Sequence, residues 1–440
     1  MIAAAGLSLA EAQLPATGPR TWTTTEGKVF QAAFVKADGL QVMLRLTNGQ
    51  LATIAITRLS AGDQAFVKAG SGLAAPAADG GAAGAGGGTA VNGGNATSVR
   101  TPVEQRIWPK VVEVDTRSVE VKTVSEAPEE QRCVYRSQNF EFTAQDKLAL
   151  SVIKEVARTF EATHSLVEAL PWGIEPKPPE DRGYYRAKLY TTRENYIADG
   201  CPPNSGGVYM SRDRVFRVPF ESLGLELRGK TWFKKASYNG ETIIHEITHQ
   251  MMHEFLPFLP IWAAEGTAEY AAITPYNAGR FTPEAEERGL KEYIKKQERS
   301  GVPLGDLQLG LGLMQMPHEK WMEISQTNQK AQQRLYFASL MMVYYFSHLD
   351  GDAKGTRFLK YLDKMAEARD AWQAFFKDPR VQLLPDGTFR YRSDMSLPPQ
   401  KRTEEYGLSQ LEILLDGRDA ARLQKDMIDG FKKLGIQGLR

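Results

Sequence analysis

The residues best suited to chemistry are His245-Glu246-Ile247-Thr248-His249 and, sixteen positions after the second histidine, Glu265 in the run Glu265-Gly266-Thr267-Ala268-Glu269. On a helix, positions i and i+4 share a face one turn apart, so His245 and His249 can aim ring nitrogens at one ion. Zinc takes four ligands, and a catalytic zinc keeps one position open for water. Two imidazoles and the Glu265 carboxylate fill three positions. Glu246 follows the first histidine directly, where it can reach the water without binding the metal. That is the place of the general base in a metal-assisted hydrolase.

The elements that must hold these groups are two helices. Ile244, Ile247, Met251 and Phe255 recur at helical spacing, so the segment from 239 to 256 has an apolar face, and the histidines lie off it. The plain alternative is a pair of satisfied core histidines on an ordinary amphipathic helix. A second helix, 261 to 273, starts after the Pro257 to Pro260 turn with Ile261, Trp262, Ala263 and Ala264. Glu265 and Glu269 then stand one turn apart, where like charges repel. A cation beside Glu265 and an imidazole N–H beside Glu269 would remove the conflict. Glu265 is thus read as the third ligand, and Glu269 as the carboxylate that fixes the tautomer of a ligand histidine. Ala264, Ala268, Ala271 and Ala272 argue against a solvated acidic face. His253 continues the i+4 series, but on an unbroken helix it lies about 12 Å along the axis from His245, too far to share the ion.

The run from Glu241 to Tyr270, with HEITH and then LPIWAAEGTAEY, resembles the gluzincin metallopeptidases, and more narrowly the secreted bacterial "peptidase MA-like" group. The likeness extends more loosely over about 130 to 350, through YRSQNFEF, FEATHSLVEALPWG and YFASLMMVYYFSHLDG. It implies a zincin-like domain with one catalytic Zn²⁺ held by His245, His249 and Glu265, Glu246 as base, and peptides or proteins as substrate. It departs at Glu269, where many gluzincins carry Asp. Related proteins have Tyr-x-x-Ser where this chain has Tyr336-Phe337-Ala338-Ser339, which makes Tyr336 the first candidate for the oxyanion donor. The alternative is a tyrosine packed among Tyr344, Tyr345 and Phe346. His253 and Tyr270 are lesser candidates. Gly206-Gly207-Val208-Tyr209-Met210 lies where aminopeptidase gluzincins carry a strand with an amine-binding glutamate. No glutamate follows here, so an endopeptidase is favoured.

The rest of the chain frames this domain. It has 440 residues, 42% hydrophobic and 24% charged, with a net charge of +1. That balance offers no groove for nucleic acid, and no apolar run reaches the ~18 residues needed to cross a bilayer. Residues 1–12 read as the remnant of a signal peptide, placing the protein outside the cytoplasm or in the cell envelope. Cys133 and Cys201 could pair there. Residues 20–70 hold five short β-type runs punctuated by Asp38-Gly39 and Asn48-Gly49. They suggest a small all-β SH3-like barrel, and their pattern resembles the small homology domain of an actin-patch adaptor, which implies a short-peptide ligand. Residues 71–105 are a Gly/Ala-rich linker, and 106–440 form the main domain. Strands precede helices there, which reads as α+β. The competing function is a catalytically inactive peptide-binding or cell-envelope protein that keeps the metal site.

Overall fold

The computed structural model describes residues 20–60 except 26–27, 38–40 and 47–50, then 63, 64 and 67, and 100–440 except 116, 236–237, 239 and 385–387. The expected signal remnant at 1–12 and the linker from 71 to 99 lie outside the described residues. Contacts divide the chain into two compact units, one of 100–372 and 398–440, the other including 20–60 and 373–397. The domain expected over 106–440 is therefore interrupted at 373–397. Its packing also starts earlier, because Val103 is buried and Arg100 pairs with Asp370.

The N-terminal part is an antiparallel sheet of β1 (Arg20–Thr23), β2 (Val29–Ala37), β3 (Gln41–Leu46) and β4 (Leu51–Ala55), in that order. Trp22, Phe34, Leu44, Ile56 and Leu59 form its core. The buried Trp22 ring donates its N–H to the Ala32 carbonyl at 2.9 Å, as a buried indole must. The sequence suggested five strands; the described residues form four. Val29-Phe30 and Ala33-Phe34-Val35 belong to one strand, which bulges between Phe34 and Lys36. An isolated bridge joins Thr24 to Leu59. Among the described residues the sheet is open and not a closed barrel.

The larger unit mixes helices with a six-stranded sheet. A short strand outside it, β5 (Val112–Glu113), is followed by the six of the sheet: β6 (Lys122–Ala127), β7 (Arg132–Arg136), β8 (Phe140–Ala144), β9 (Tyr185–Tyr190), β10 (Val208–Met210) and β11 (Val215–Pro219). The main sheet runs β10-β11-β9-β8-β7-β6. β9 is parallel to β8 and to β11, and every other pair is antiparallel. A parallel β8–β9 pair needs a crossover, supplied by α1 (Leu150–Ala169). Gln145, just ahead of α1, is tied to the sheet: its N–H donates to Leu189 and its side-chain oxygen accepts from Thr191. Phe142, Phe160 and Phe216 stack α1 on the sheet, with ring centroids 5.0 and 5.6 Å apart.

Beyond the sheet come α2 (Arg193–Ala198), the hairpin β12 (Leu225–Arg228) and β13 (Thr231–Lys234), α3 (Glu241–Met251) and α4 (Ile261–Ile273). A second hairpin, β14 (Tyr276–Asn277) and β15 (Arg280–Phe281), adds to β5. Then follow α5 (Glu286–Arg299), α6 (Leu311–Met314), α7 (His318–Thr327), α8 (Gln329–His348) and α9 (Thr356–Lys377), with β16 (Val381–Leu383) paired to β17 (Phe389–Tyr391). Three more helices, Glu404–Ser409, Glu412–Leu415 and Ala420–Lys433, close the chain. Among the described residues no helix is long and apolar enough to cross a membrane. Cys133 and Cys201 are both buried and unbonded to each other.

Candidate metal centre

The helix α3 ends at Met251, five residues short of the sequence expectation, and a turn leads into Leu256–Phe258. Its apolar face is buried as expected through Ile243, Ile244, Ile247 and Met251, but so is most of its polar face. His245 is 1% exposed and Glu246 3%. Buried polar groups need partners and buried charges need opposite charges, so this face must be satisfied locally.

The satisfying element is α4, all thirteen residues of which are buried. It starts at Ile261, immediately after Pro260, where proline suits a helix entrance. Its Glu265 and Glu269 are 7% and 4% exposed. Gly266 lets α4 approach α8 closely. A methyl group there would stand 2.5 Å from the Ser339 carbonyl oxygen and 2.6 Å from Val343 Cγ2. That contact fixes the depth at which Glu265 is held.

The structure brings together the three residues expected to bind the ion. His245 Nε2 and His249 Nε2 are 3.0 Å apart. Glu265 Oε2 lies 3.2 Å from the first and 3.3 Å from the second. Donor atoms around a tetrahedral zinc with ~2.0–2.1 Å bonds are about 3.3–3.4 Å apart. The three atoms thus already stand close to the spacing of one face of such a tetrahedron. Among the described residues these three form a cluster able to hold a metal ion. Glu269 Oε1 lies 3.3 Å from His245 Nδ1, on the ring edge away from the triad. The alignment falls short of a good hydrogen bond, since Nδ1 has no well-formed one. Even so, Glu269 is the nearest acceptor for an Nδ1–H, which would leave the Nε2 lone pair facing the cluster.

Electrostatics point the same way. Burial works against a charge on His245, yet the Glu265 and Glu269 carboxylates outweigh it and raise the imidazole to about 10. Burial likewise opposes ionised Glu265, but His249 and His245 hold it down at about 2. Three carboxylates, Glu246, Glu265 and Glu269, are buried around two imidazoles, a concentration of negative charge that a divalent cation would balance.

Glu246 is oriented by an edge strand. Its Oε2 accepts the Tyr209 backbone N–H of β10 at 2.9 Å, leaving its other oxygen for proton exchange. Burial raises its pKa above the ordinary carboxylate range, the direction a base working near neutral pH requires. Tyr336 on α8 lies with its ring centroid 6.0 Å from that of His245. Its hydroxyl is buried and makes no well-formed hydrogen bond, although Gln332 lies close enough to act on it, and burial pushes its pKa well up. His253 stands apart from the cluster and pairs through Nδ1 with the Tyr209 hydroxyl at 2.8 Å. Tyr270 pairs with His348 at 2.8 Å, so neither serves the triad.

Sequence reasoning missed Tyr209 and Gly266. The signal for Gly266 was present, since a glycine inside an alanine-rich helix marks a close approach. Tyr209 acts through its backbone, which no side-chain pattern reveals. Compared with known proteins, the chain matches no family model and no curated sequence.

Proposed function

We propose that this chain is a zinc-dependent peptidase of the gluzincin kind, with a zincin-like catalytic domain and a small SH3-like accessory domain, acting outside the cytoplasm. The observation that supports it most is the triad itself: two imidazole nitrogens and one carboxylate oxygen, 3.0 to 3.3 Å apart, in a buried site. His245, His249 and Glu265 would hold the ion. Zinc in such a site supplies Lewis acidity and a water made acidic enough to ionise near neutral pH.

The chain's own residues do the rest. Glu246 takes a proton from the attacking water and passes it to the leaving nitrogen. The Tyr209 N–H keeps that carboxylate in place. The Tyr336 hydroxyl, buried without a good partner, donates to the carbonyl oxygen as charge gathers on it. Glu269 steers His245. β10 is the last strand of its sheet, so an extended peptide could lie along its outer side, next to the Glu246 carboxylate that the Tyr209 N–H holds. Such an edge accepts a chain interior as readily as an end, which favours an endopeptidase.

The test is cleavage of unstructured peptides by zinc-loaded wild type against Glu246→Gln at equal metal content. A fall in kcat of at least about 100-fold is expected from loss of the base. Equal rates would end the hydrolase reading and favour a metal-binding protein without catalysis.

A further inference from the structure

A narrow cavity lies where the C-terminal end of α3 meets β10 and the turn that leads into β11. Tyr209, Arg214, Gln250, His253, Glu254 and Arg369 are among its walls. Tyr209 connects it to the base. Its backbone N–H holds Glu246, while its hydroxyl meets His253 in the cavity wall. A tyrosine side chain reaches about as far as two residues of extended peptide, ~6–7 Å. A peptide lying along β10 with its reacting bond at Glu246 would bring a neighbouring side chain to this opening.

The walls carry surplus positive charge, with Lys177, Arg214 and Arg369 set against Glu175 and Glu254. Arg214 pairs with Glu254 at 3.0 Å, and both are about two-fifths exposed. Lys177 pairs with Glu175 at 3.0 Å. Arg369 is nine-tenths buried, stacks over Phe255 at 4.5 Å, and has its carboxylate partner, Asp370, outside the cavity wall. Arg402 is close enough to bear on both Arg214 and His253. Burial lowers its pKa first, and Arg214 lowers it further against the pull of Glu254. The Glu254 carboxylate thus acts on two guanidinium groups that repel each other. The open space is about 20 Å³, room for a single water-sized group. A carboxylate oxygen is of that size.

Resting on the peptidase reading, we propose that this cavity is a subsite for an acidic group of the substrate, with Arg214 as the residue that selects it. The group is a carboxylate within two residues of the bond under attack, from an Asp or Glu side chain or from a free C-terminus. Guanidinium and carboxylate match in a paired, charge-assisted geometry. An incoming carboxylate would offset the excess of cations in the walls.

The test uses the zinc-loaded full chain and a set of blocked peptides that differ only in carrying Glu, Gln or Lys near the scissile position. A further pair ends in a free acid or an amide. Cleavage is measured on wild type, and binding by fluorescence anisotropy on Glu246→Gln. The Glu peptide is expected to bind about tenfold tighter than the Gln peptide and to be cleaved with about tenfold higher kcat/KM. The preference should shrink as salt is raised. Arg214→Lys should keep it, and Arg214→Glu should reverse it toward the Lys peptide. If only the free-acid peptide gains, the carboxylate is terminal. Cleavage without charge preference, or a preference untouched by Arg214→Glu, overturns the subsite. Charge-selective binding with no cleavage keeps the subsite and overturns the peptidase reading instead.

Discussion

Replacing Gly266 by alanine tests whether the close approach of α4 to α8 sets the metal site. The added methyl would sit 2.5 Å from the Ser339 carbonyl oxygen and 2.6 Å from Val343 Cγ2. Ordinary contact begins near 3.4 Å, so the helices must part by about 0.9 Å. The Ser339 oxygen is backbone and cannot rotate away. Overpacking of this kind costs roughly 1–3 kcal/mol, here at the upper end. Alanine is a better helix former than glycine by about 1 kcal/mol, which offsets part of the loss. A net destabilisation of about 2 kcal/mol remains. Calorimetry should show Tm falling by several degrees. Zinc affinity should fall as well. Glu265 is the neighbouring residue, and a ligand set tolerates only about 0.5 Å of displacement. Gly312, where an added methyl would meet nothing within 4 Å, is the control, and Gly312→Ala should not destabilise. A Gly266→Ala protein as stable as wild type, with unchanged zinc affinity, would refute the argument that this contact holds Glu265 in place.

Three further outcomes follow from the same geometry. Glu269→Gln should weaken zinc binding about 10- to 100-fold, measured by competition with a chelator, because His245 Nδ1 loses its orienting carboxylate. Tyr336→Phe should lower kcat on peptides by about 10²–10³ with little change in KM or metal content, as for loss of an oxyanion donor; a change in KM alone would speak for a packing role. His348 is held near pKa 4 by burial, below the unfolded value of about 6.5. Below pH 6.5 the unfolded chain therefore takes up the proton first, so stability is full above that pH, falls toward pH 4 and then levels. The loss should be about 3 kcal/mol, read as a steeper acid slope of unfolding free energy in wild type than in His348→Gln.

What could be read from the residues alone was what is local. The i, i+4 spacing of His245 and His249 puts both on one side wherever a helix forms, because helical pitch depends only on the backbone. The second helix, 261 to 273, has the limits expected of it, since Pro260 and the apolar run mark its start. Even the partition of Glu265 to the ion and Glu269 to an imidazole could be argued from like charges one turn apart. The end of α3 was less legible. The apolar repeat runs on to Phe255, which is buried although the helix stops at Met251. Tertiary packing buries an apolar residue as well from a turn as from a helix.

Tertiary structure decided what depends on segments distant in the chain. The mixed order β10-β11-β9-β8-β7-β6 is one such outcome, because strand pairing joins residues whose separation carries no periodic signal. The merging of two expected runs into β2 is another. The grip of Tyr209 on Glu246 spans 37 residues and uses a backbone N–H, a group that every residue except proline owns. The depth of α4 against α8 depends on one missing methyl group at Gly266. Spacing along a helix names the candidate ligands; the distances among three donor atoms on two helices arise only when the core around them is packed.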